Sequence, residues 1–124
     1  MGESILRSKS FAFAIRVVRL YQFLIEDKRE FVMSKQLLRS GTAVGALIHE
    51  AEFGQSKADF RSKMSIALKE ANETYYWLSL LRGTDYLNSK MFDSIANDCI
   101  ELIKMLVATV KTTKKLEPES KIEH

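Results

Sequence analysis

Residues 40–56 read SGTAVGALIHEAEFGQS, and two glycines interrupt what is otherwise a helical pattern. The apolar residues of this stretch recur every three or four positions, as they do on one face of an α-helix. Gly41 and Gly45 lie on that face, and each costs about 1 kcal/mol relative to alanine inside a helix. The pair therefore predicts that another helix, or a large aromatic side chain, lies close against this surface.

The composition favours helices throughout the chain. Its 124 residues include one proline and five glycines, which is little turn chemistry for a protein made of many short strands. The length suits one domain with its own core. We expect a single domain over residues 1–116 and a disordered tail over residues 117–124, where little apolar surface is available to bury.

Apolar periodicity predicts four helices. Their expected ranges are about 8–26, 33–54, 56–83 and 89–115. We expect Ser8 or Ser10 to cap the first helix and Ser56 to cap the third. The connections are short, which favours antiparallel neighbours. The sequence therefore predicts an all-α fold, an antiparallel up-down-up-down four-helix bundle.

The first helix is the most hydrophobic. Between Phe11 and Ile25 the polar residues are Arg16, Arg19 and Gln22, which leaves about two-thirds of the helix surface apolar. A helix in a monomeric bundle needs a narrower apolar face. The excess predicts self-association, since an exposed patch of that size is a liability. The candidate interface residues, chosen for their apolar side chains, are Phe13, Val17, Leu20 and Leu24, with Trp77 from the third helix.

The positive charge is concentrated near the N-terminus. The net charge is +3, and residues 1–39 hold eight Lys and Arg against four acids. Arginine and lysine bind phosphate, so this bias suggests weak affinity for RNA or DNA. The alternative is that these cations pair with Glu50, Glu70 or Glu73 and form an ordinary surface. The candidate nucleic-acid-binding residues are Lys9, Arg16, Arg19, Lys35 and Arg39.

Catalytic and metal-binding readings find little support. His49-Glu50 begins like a zinc-protease helix, but Phe53 stands where the second histidine is needed. Carboxylate-bridged metals in bundles use Glu-x-x-His, which does not occur. Cys99 lies on the apolar face of the fourth helix, where an inert buried thiol is the expectation. We therefore expect no metal, no cofactor and no enzymatic activity, with Glu50, Glu70 and Glu73 as the acids available if this is wrong.

Cysteine usage and hydropathy bear on location. The single cysteine cannot form an internal disulfide, which fits a reducing cytoplasm. No run of 18 uncharged apolar residues is present, so no membrane span is expected.

Two longer stretches resemble a known family. They read QLLRSGTAVGALIHEAE from residue 36 and QSKADFRSKMSIALKEANETYYWLSLL from residue 55. The chain is similar to bacterial 23S rRNA intervening-sequence proteins over roughly residues 8–110. It departs from many relatives at Ala43 and Leu47, where they carry serine and asparagine. The polar residues that match the family pattern are Gln36, Arg39, Glu50, Glu70 and Glu73.

The resemblance implies a four-helix bundle that forms a homo-oligomer, with a pentamer as the first expectation. It also implies likeness in fold to accessory variability proteins of diversity-generating retroelements, which are pentamers that bind nucleic acid and a reverse transcriptase. The leading hypothesis is a non-enzymatic, homo-oligomeric adaptor with modest affinity for RNA or DNA. The alternative is a protein-interaction module that binds a polymerase or another protein without nucleic acid.

Overall fold

The computed structural model describes residues 4–115, and across them the chain forms four helices and no strand. Their bounds are α1 Ile5–Glu26, α2 Met33–Glu52, α3 Lys57–Gly83 and α4 Ser89–Lys115. The predicted all-α four-helix fold is confirmed. The expected tail, residues 117–124, lies outside the described residues.

The helices pack in the order α1, α2, α3, α4, and α1 also meets α4 along a less extensive seam. Core side chains lie at the positions that the periodicity predicted. On α2 these include Leu37, Val44 and Ile48, which are fully buried. The core continues through the helical stripes of α3 and α4, with Met64, Ala67, Ala71, Leu78, Leu81, Ile95, Cys99, Leu102 and Leu106. One buried core therefore runs the length of the bundle.

The two glycines of α2 allow α1 to approach closely, as predicted. A Cβ atom built on Gly41 would lie 2.8 Å from both γ-methyl groups of Val17. A Cβ atom on Gly45 would lie 3.2 Å from the backbone oxygen of Ser10. Carbon atoms pack best about 3.5–4.0 Å apart, so the missing side chains set the spacing between α1 and α2.

Side-chain caps mark three of the helix starts. The hydroxyl of Ser56 accepts from the Asp59 N–H at 3.0 Å, as predicted for α3. The expected caps of α1 were wrong. Ser4 fills that position, accepting from the Arg7 N–H at 3.1 Å, so α1 begins three residues earlier than predicted. Asn88 accepts from the Met91 N–H at 2.8 Å at the start of α4.

Helix α2 is capped by a buried carboxylate that precedes it. Glu30 is only 7% exposed and accepts backbone N–H bonds from Val32, Met33 and Ser34 at 2.7–3.1 Å. Burial by itself raises the pKa of Glu30, but the donated N–H groups of Met33, Ser34 and Val32 outweigh it and hold that pKa below its ordinary value. The ionised carboxylate thus satisfies donors at the N-terminus of α2 that would otherwise lack partners.

Candidate interaction surfaces

The predicted interface residues of α1 lie mostly in the core of the single chain. Phe13, Val17 and Leu24 are at most 2% exposed, so assigning them to an interface between subunits was wrong. The same side chains fill the space between α1 and the rest of the bundle. Leu20 and Trp77 are half-buried and pack against the core. These two leave part of their surface available to a neighbour.

A different set of apolar residues on α1 faces outward. Phe11 is 68% exposed, Ile15 44% and Val18 37%. We call these three residues the outer stripe. They follow one another at intervals of four and three residues, so they lie on one face of the helix, in the spacing of a coiled-coil seam. The wide apolar surface of α1 therefore divides into an inner face that fills the core and an outer stripe exposed in the single chain.

The predicted nucleic-acid-binding cations are partly engaged with acids. Lys9 forms an ion pair with Glu101 at 3.1 Å. Arg16 binds Asp98 at 2.6 Å and also donates to the backbone oxygen and the hydroxyl of Ser94. For Lys9 and Arg16 the pairing alternative was right in kind, but their acids are on α4 and are not Glu50, Glu70 or Glu73.

The remaining cation candidates differ in how available they are. Arg19 and Lys35 are exposed and make no ion pair within residues 4–115. Arg39 is held by Glu70 and Glu73 on α3. Two of the five candidates are therefore left for a partner without breaking an existing pair.

Four of the five family-pattern residues meet in one polar cluster between α2 and α3. The guanidinium of Arg39 lies 3.2 Å from Glu70 Oε1 and also donates to Glu73, while Gln36 accepts from Arg39 Nε at 3.4 Å. The indole N–H of Trp77 donates to Glu73 at 2.9 Å. The fifth family-pattern residue, Glu50, lies apart and faces Lys63 at 3.8 Å.

This cluster favours the charged forms of its members. The indole of Trp77 and the guanidinium of Arg39 hold the pKa of Glu73 below its ordinary value. The hydrogen bond to Glu73, together with the charge of Glu70, raises the pKa of Arg39. Beneath the cluster the hydroxyl of Thr74 donates to Ser40 at 3.0 Å, both side chains being fully buried. The ionised Glu73 and Glu70 accept from Arg39, so the cluster joins α2 to α3.

The remaining candidate side chains, Cys99 and His49, lie in different environments. Burial, with a smaller effect of Asp98, raises the pKa of Cys99 to about 12, and its thiol donates to the Ala71 carbonyl oxygen. His49 is exposed and its ring lies 4.9 Å from that of Phe53. Within residues 4–115, no three His, Cys, Asp or Glu side chains gather as metal ligands would. The same residues include no helix long and apolar enough to cross a membrane.

Some ion-pair partners could not be predicted from the sequence pattern. The ion pair of Arg16 with Asp98 joins residues 82 positions apart, and no local spacing signals it. The residues of the outer stripe are spaced at intervals of four and three, which is a helical pattern. The pattern could not be recognised from the sequence because the apolar residues of the inner face lie between them.

Comparison with known proteins places the chain in a family. The family model described as 23S rRNA-intervening sequence protein matches residues 3–108. Among solved structures, the chain is similar to a crystal structure at 1.70 Å of a protein with unknown function, of the S23 ribosomal protein family, from Bacteroides thetaiotaomicron VPI-5482. The two are 54% identical with a TM-score of 0.85, over 86% of this chain and 99% of that one. The search of curated proteins finds no match. The chain therefore belongs to the 23S rRNA-intervening sequence protein family.

Proposed function

We propose that this protein is a non-enzymatic adaptor that assembles with copies of itself through the outer stripe of α1. The observation that carries the proposal is the exposure of Phe11, Ile15 and Val18 on a helix whose other apolar face is already buried. Fully burying a large apolar side chain contributes about 1.5–3 kcal/mol, so three on each subunit supply a driving force for association. The proposed site of action is the cytoplasm, where a lone thiol such as Cys99 stays reduced.

The subunit number proposed is five, from the likeness to pentameric bundles. Light scattering coupled to size exclusion tests it, because a pentamer has a mass near 71 kDa, five times the 14.2 kDa of the chain. The double variant Phe11→Ser with Ile15→Ser removes exposed apolar surface and should release monomers that retain their helical circular dichroism. The matched control is Phe31→Ser with Val32→Ser, two exposed apolar residues of the α1–α2 turn, 49% and 74% exposed.

Two results would overturn self-association through α1. One is a wild-type mass of 14.2 kDa at micromolar concentration. The other is an assembly that persists in the stripe variant and dissociates in the control variant.

The absence of enzymatic activity is supported by the state of the candidate groups. The raised pKa of Cys99 keeps its thiol protonated and a poor nucleophile. Glu70 and Glu73 share the guanidinium of Arg39, and Glu50 faces the ammonium of Lys63. Metal analysis of the purified protein, expected to show no stoichiometric metal, checks this part of the proposal.

A protein is the partner that we favour for the adaptor, because carboxylates neutralise three of the five candidate nucleic-acid-binding residues, Lys9, Arg16 and Arg39. The second candidate is RNA or DNA. It is supported by exposed lysines on the last turns of α4, where Lys104, Lys111 and Lys114 make no ion pair within residues 4–115. Lys104 and Lys111 are seven residues apart and share one face of the helix.

Fluorescence anisotropy with short single-stranded RNA and DNA separates the two candidates. Phosphate contacts predict binding that falls steeply between about 50 and 200 mM salt. Lys104→Glu with Lys111→Glu tests the α4 lysines, and Arg19→Glu with Lys35→Glu tests the cations predicted from the sequence. Arg16→Glu is a poor test because it sets a carboxylate against Asp98. If neither nucleic acid binds at low salt, the second candidate falls.

A further inference from the structure

The seam between α1 and α4 leaves an open trough. A groove of about 510 Å³ has an apolar floor formed by Leu20 and Phe23 of α1 and by Met91 and Ile95 of α4. It continues past Phe23 and Met91 into a second groove of about 400 Å³ at the end of the bundle. We call the two together the α1/α4 trough.

The trough is open because α1 lies against α2. Gly41 and Gly45 bring the two helices close together, while α1 and α4 meet along a less extensive seam. Polar bonds bridge part of that seam, where Arg16 binds Asp98 and Ser94. This bridge forms one end of the trough, and apolar side chains beyond it are left half-exposed.

The charged side chains that line the trough are mostly cationic. Arg19 and Lys90 line the first groove and make no ion pair within the described part of the chain. Lys28 and Arg82 line the second groove, where Asp85 is the one acidic side chain. The ammonium of Lys28 lies 5.9 Å from the centre of the Phe23 ring, so charge and apolar floor are adjacent.

The dimensions suit a short helical segment. The α1 residues that line the trough run from Arg16 to Phe23, about 10 Å at 1.5 Å per residue. That is the length of about two helical turns. A helix of that length presents two or three large side chains on one face, at intervals of three or four residues.

We propose that the α1/α4 trough binds an acidic amphipathic segment of a partner protein. Leucine, phenylalanine or methionine side chains of the segment pack on the half-buried Leu20, Phe23 and Met91. Its carboxylates face Arg19 and Lys90. Met91 suits such a floor because its flexible thioether adapts to differently shaped apolar side chains. The inference rests on the proposed adaptor role, but it does not depend on assembly through the outer stripe.

The floor fits a peptide better than a nucleic acid. Single-stranded nucleic acids bind through stacked aromatic side chains as well as phosphate contacts. Phe23 is the one aromatic ring among the residues that line the first groove, and the ammonium of Lys28 lies over it. Aliphatic and thioether side chains offer no stacking platform, whereas they pack well with apolar anchors.

Selection from a displayed library of random peptides of about 12 residues tests the proposal on the full chain. Enriched peptides are expected to combine Asp or Glu with large apolar residues at helical spacing. Their synthetic forms should lose at least tenfold in affinity for the variant Arg19→Glu with Lys90→Glu. The matched control is Lys57→Glu with Lys69→Glu, which changes two exposed lysines outside the trough and should leave affinity unchanged.

Methyl-labelled methionine locates the bound peptide by NMR. The Met91 methyl resonance should shift on titration, while that of Met64, which is fully buried elsewhere, should not. Failure to enrich acidic peptides overturns the proposal, as does peptide binding that the Arg19→Glu, Lys90→Glu variant leaves unchanged. A short single-stranded RNA that shifts Met91 and displaces the peptide also overturns it, in favour of a nucleic-acid groove.

The experiments on the trough and the experiments on self-association give separate answers. Peptide binding at Met91 by a 14.2 kDa monomer supports the proposal that the trough binds a peptide and contradicts self-association. An assembled protein that enriches no acidic peptide removes the trough and leaves self-association standing.

Discussion

Replacing Gly41 with alanine tests how closely α1 and α2 are packed. The new methyl carbon would lie 2.8 Å from both γ-methyl groups of Val17, a fully buried side chain. Comfortable carbon–carbon contact needs about 3.5 Å or more, so something must move by roughly 0.7 Å. Valine has little rotamer freedom within a helix, so the strain passes to the helix backbones.

Two effects of opposite sign decide the result. Alanine is favoured over glycine inside a helix by about 1 kcal/mol. Overpacking a filled core costs about 1–3 kcal/mol, and the contact with two methyl groups places this site in the upper part of that range. We therefore expect Gly41→Ala to lower the free energy of unfolding by about 1–2 kcal/mol. Urea unfolding followed by circular dichroism measures this change, at one fixed protein concentration because assembly shifts apparent stability.

A control and a double-mutant cycle separate packing from helix propensity. Gly83→Ala changes a helical glycine whose added Cβ atom meets nothing within 4 Å, so it should be neutral or stabilising by less than about 1 kcal/mol. Val17→Ala removes the two methyl groups that the methyl carbon added by Gly41→Ala would strike. The double variant should be more stable than the sum of the single effects by about 1 kcal/mol or more. Additive effects, or a Gly41→Ala variant more stable than the wild type, would refute the close-packing argument.

Three further perturbations address groups with shifted pKa values or restricted access. Glu30→Gln should destabilise the fold most near neutral pH. Because the pKa of Glu30 is lowered in the folded state, the stability that its ionised carboxylate contributes is present above the ordinary carboxyl pKa. That stability is lost as the pH falls through the lowered pKa. Urea unfolding at several pH values measures the loss. Trp77 is the single tryptophan, so its fluorescence should change as acid protonates Glu73, below that residue's ordinary pKa, and Glu73→Gln should abolish the transition. Cys99 should react with an alkylating reagent at the rate of global unfolding, since burial raises its pKa to about 12; rapid labelling of the native protein would contradict its burial.

The sequence was sufficient for the fold because apolar periodicity and short connections act locally. The buried stripe of α2, which includes Leu37, Val44 and Ile48, and the Ser56 cap of α3 appear where the pattern predicted them. The start of α1 was missed because Ser4 caps it before the apolar run begins. Local patterns do not distinguish among several serines that each have capping chemistry.

The exposed residues and the partners of the surface charges could be assigned only from the three-dimensional structure. On α1 the apolar residues cover so much of the helix that periodicity alone does not separate Val17, in the core, from Val18, which is 37% exposed. Their separation depends on where α2 contacts α1, and that is set by Gly41 and Gly45. The partners of Lys9 and Arg16 lie on α4, far along the chain, so neither pairing follows from residue spacing.

The cap formed by Glu30 also bears on the order in which the chain folds. Its backbone N–H donates to the Leu24 carbonyl at 2.9 Å, its carboxylate binds the first amides of α2, and its own carbonyl accepts from the Ser34 hydroxyl at 2.8 Å. All these bonds join residues at most six positions apart, so little chain entropy opposes their formation. We expect the hairpin of α1 and α2 to form early, and to offer the later helices a template while the rest of the chain is still being synthesised.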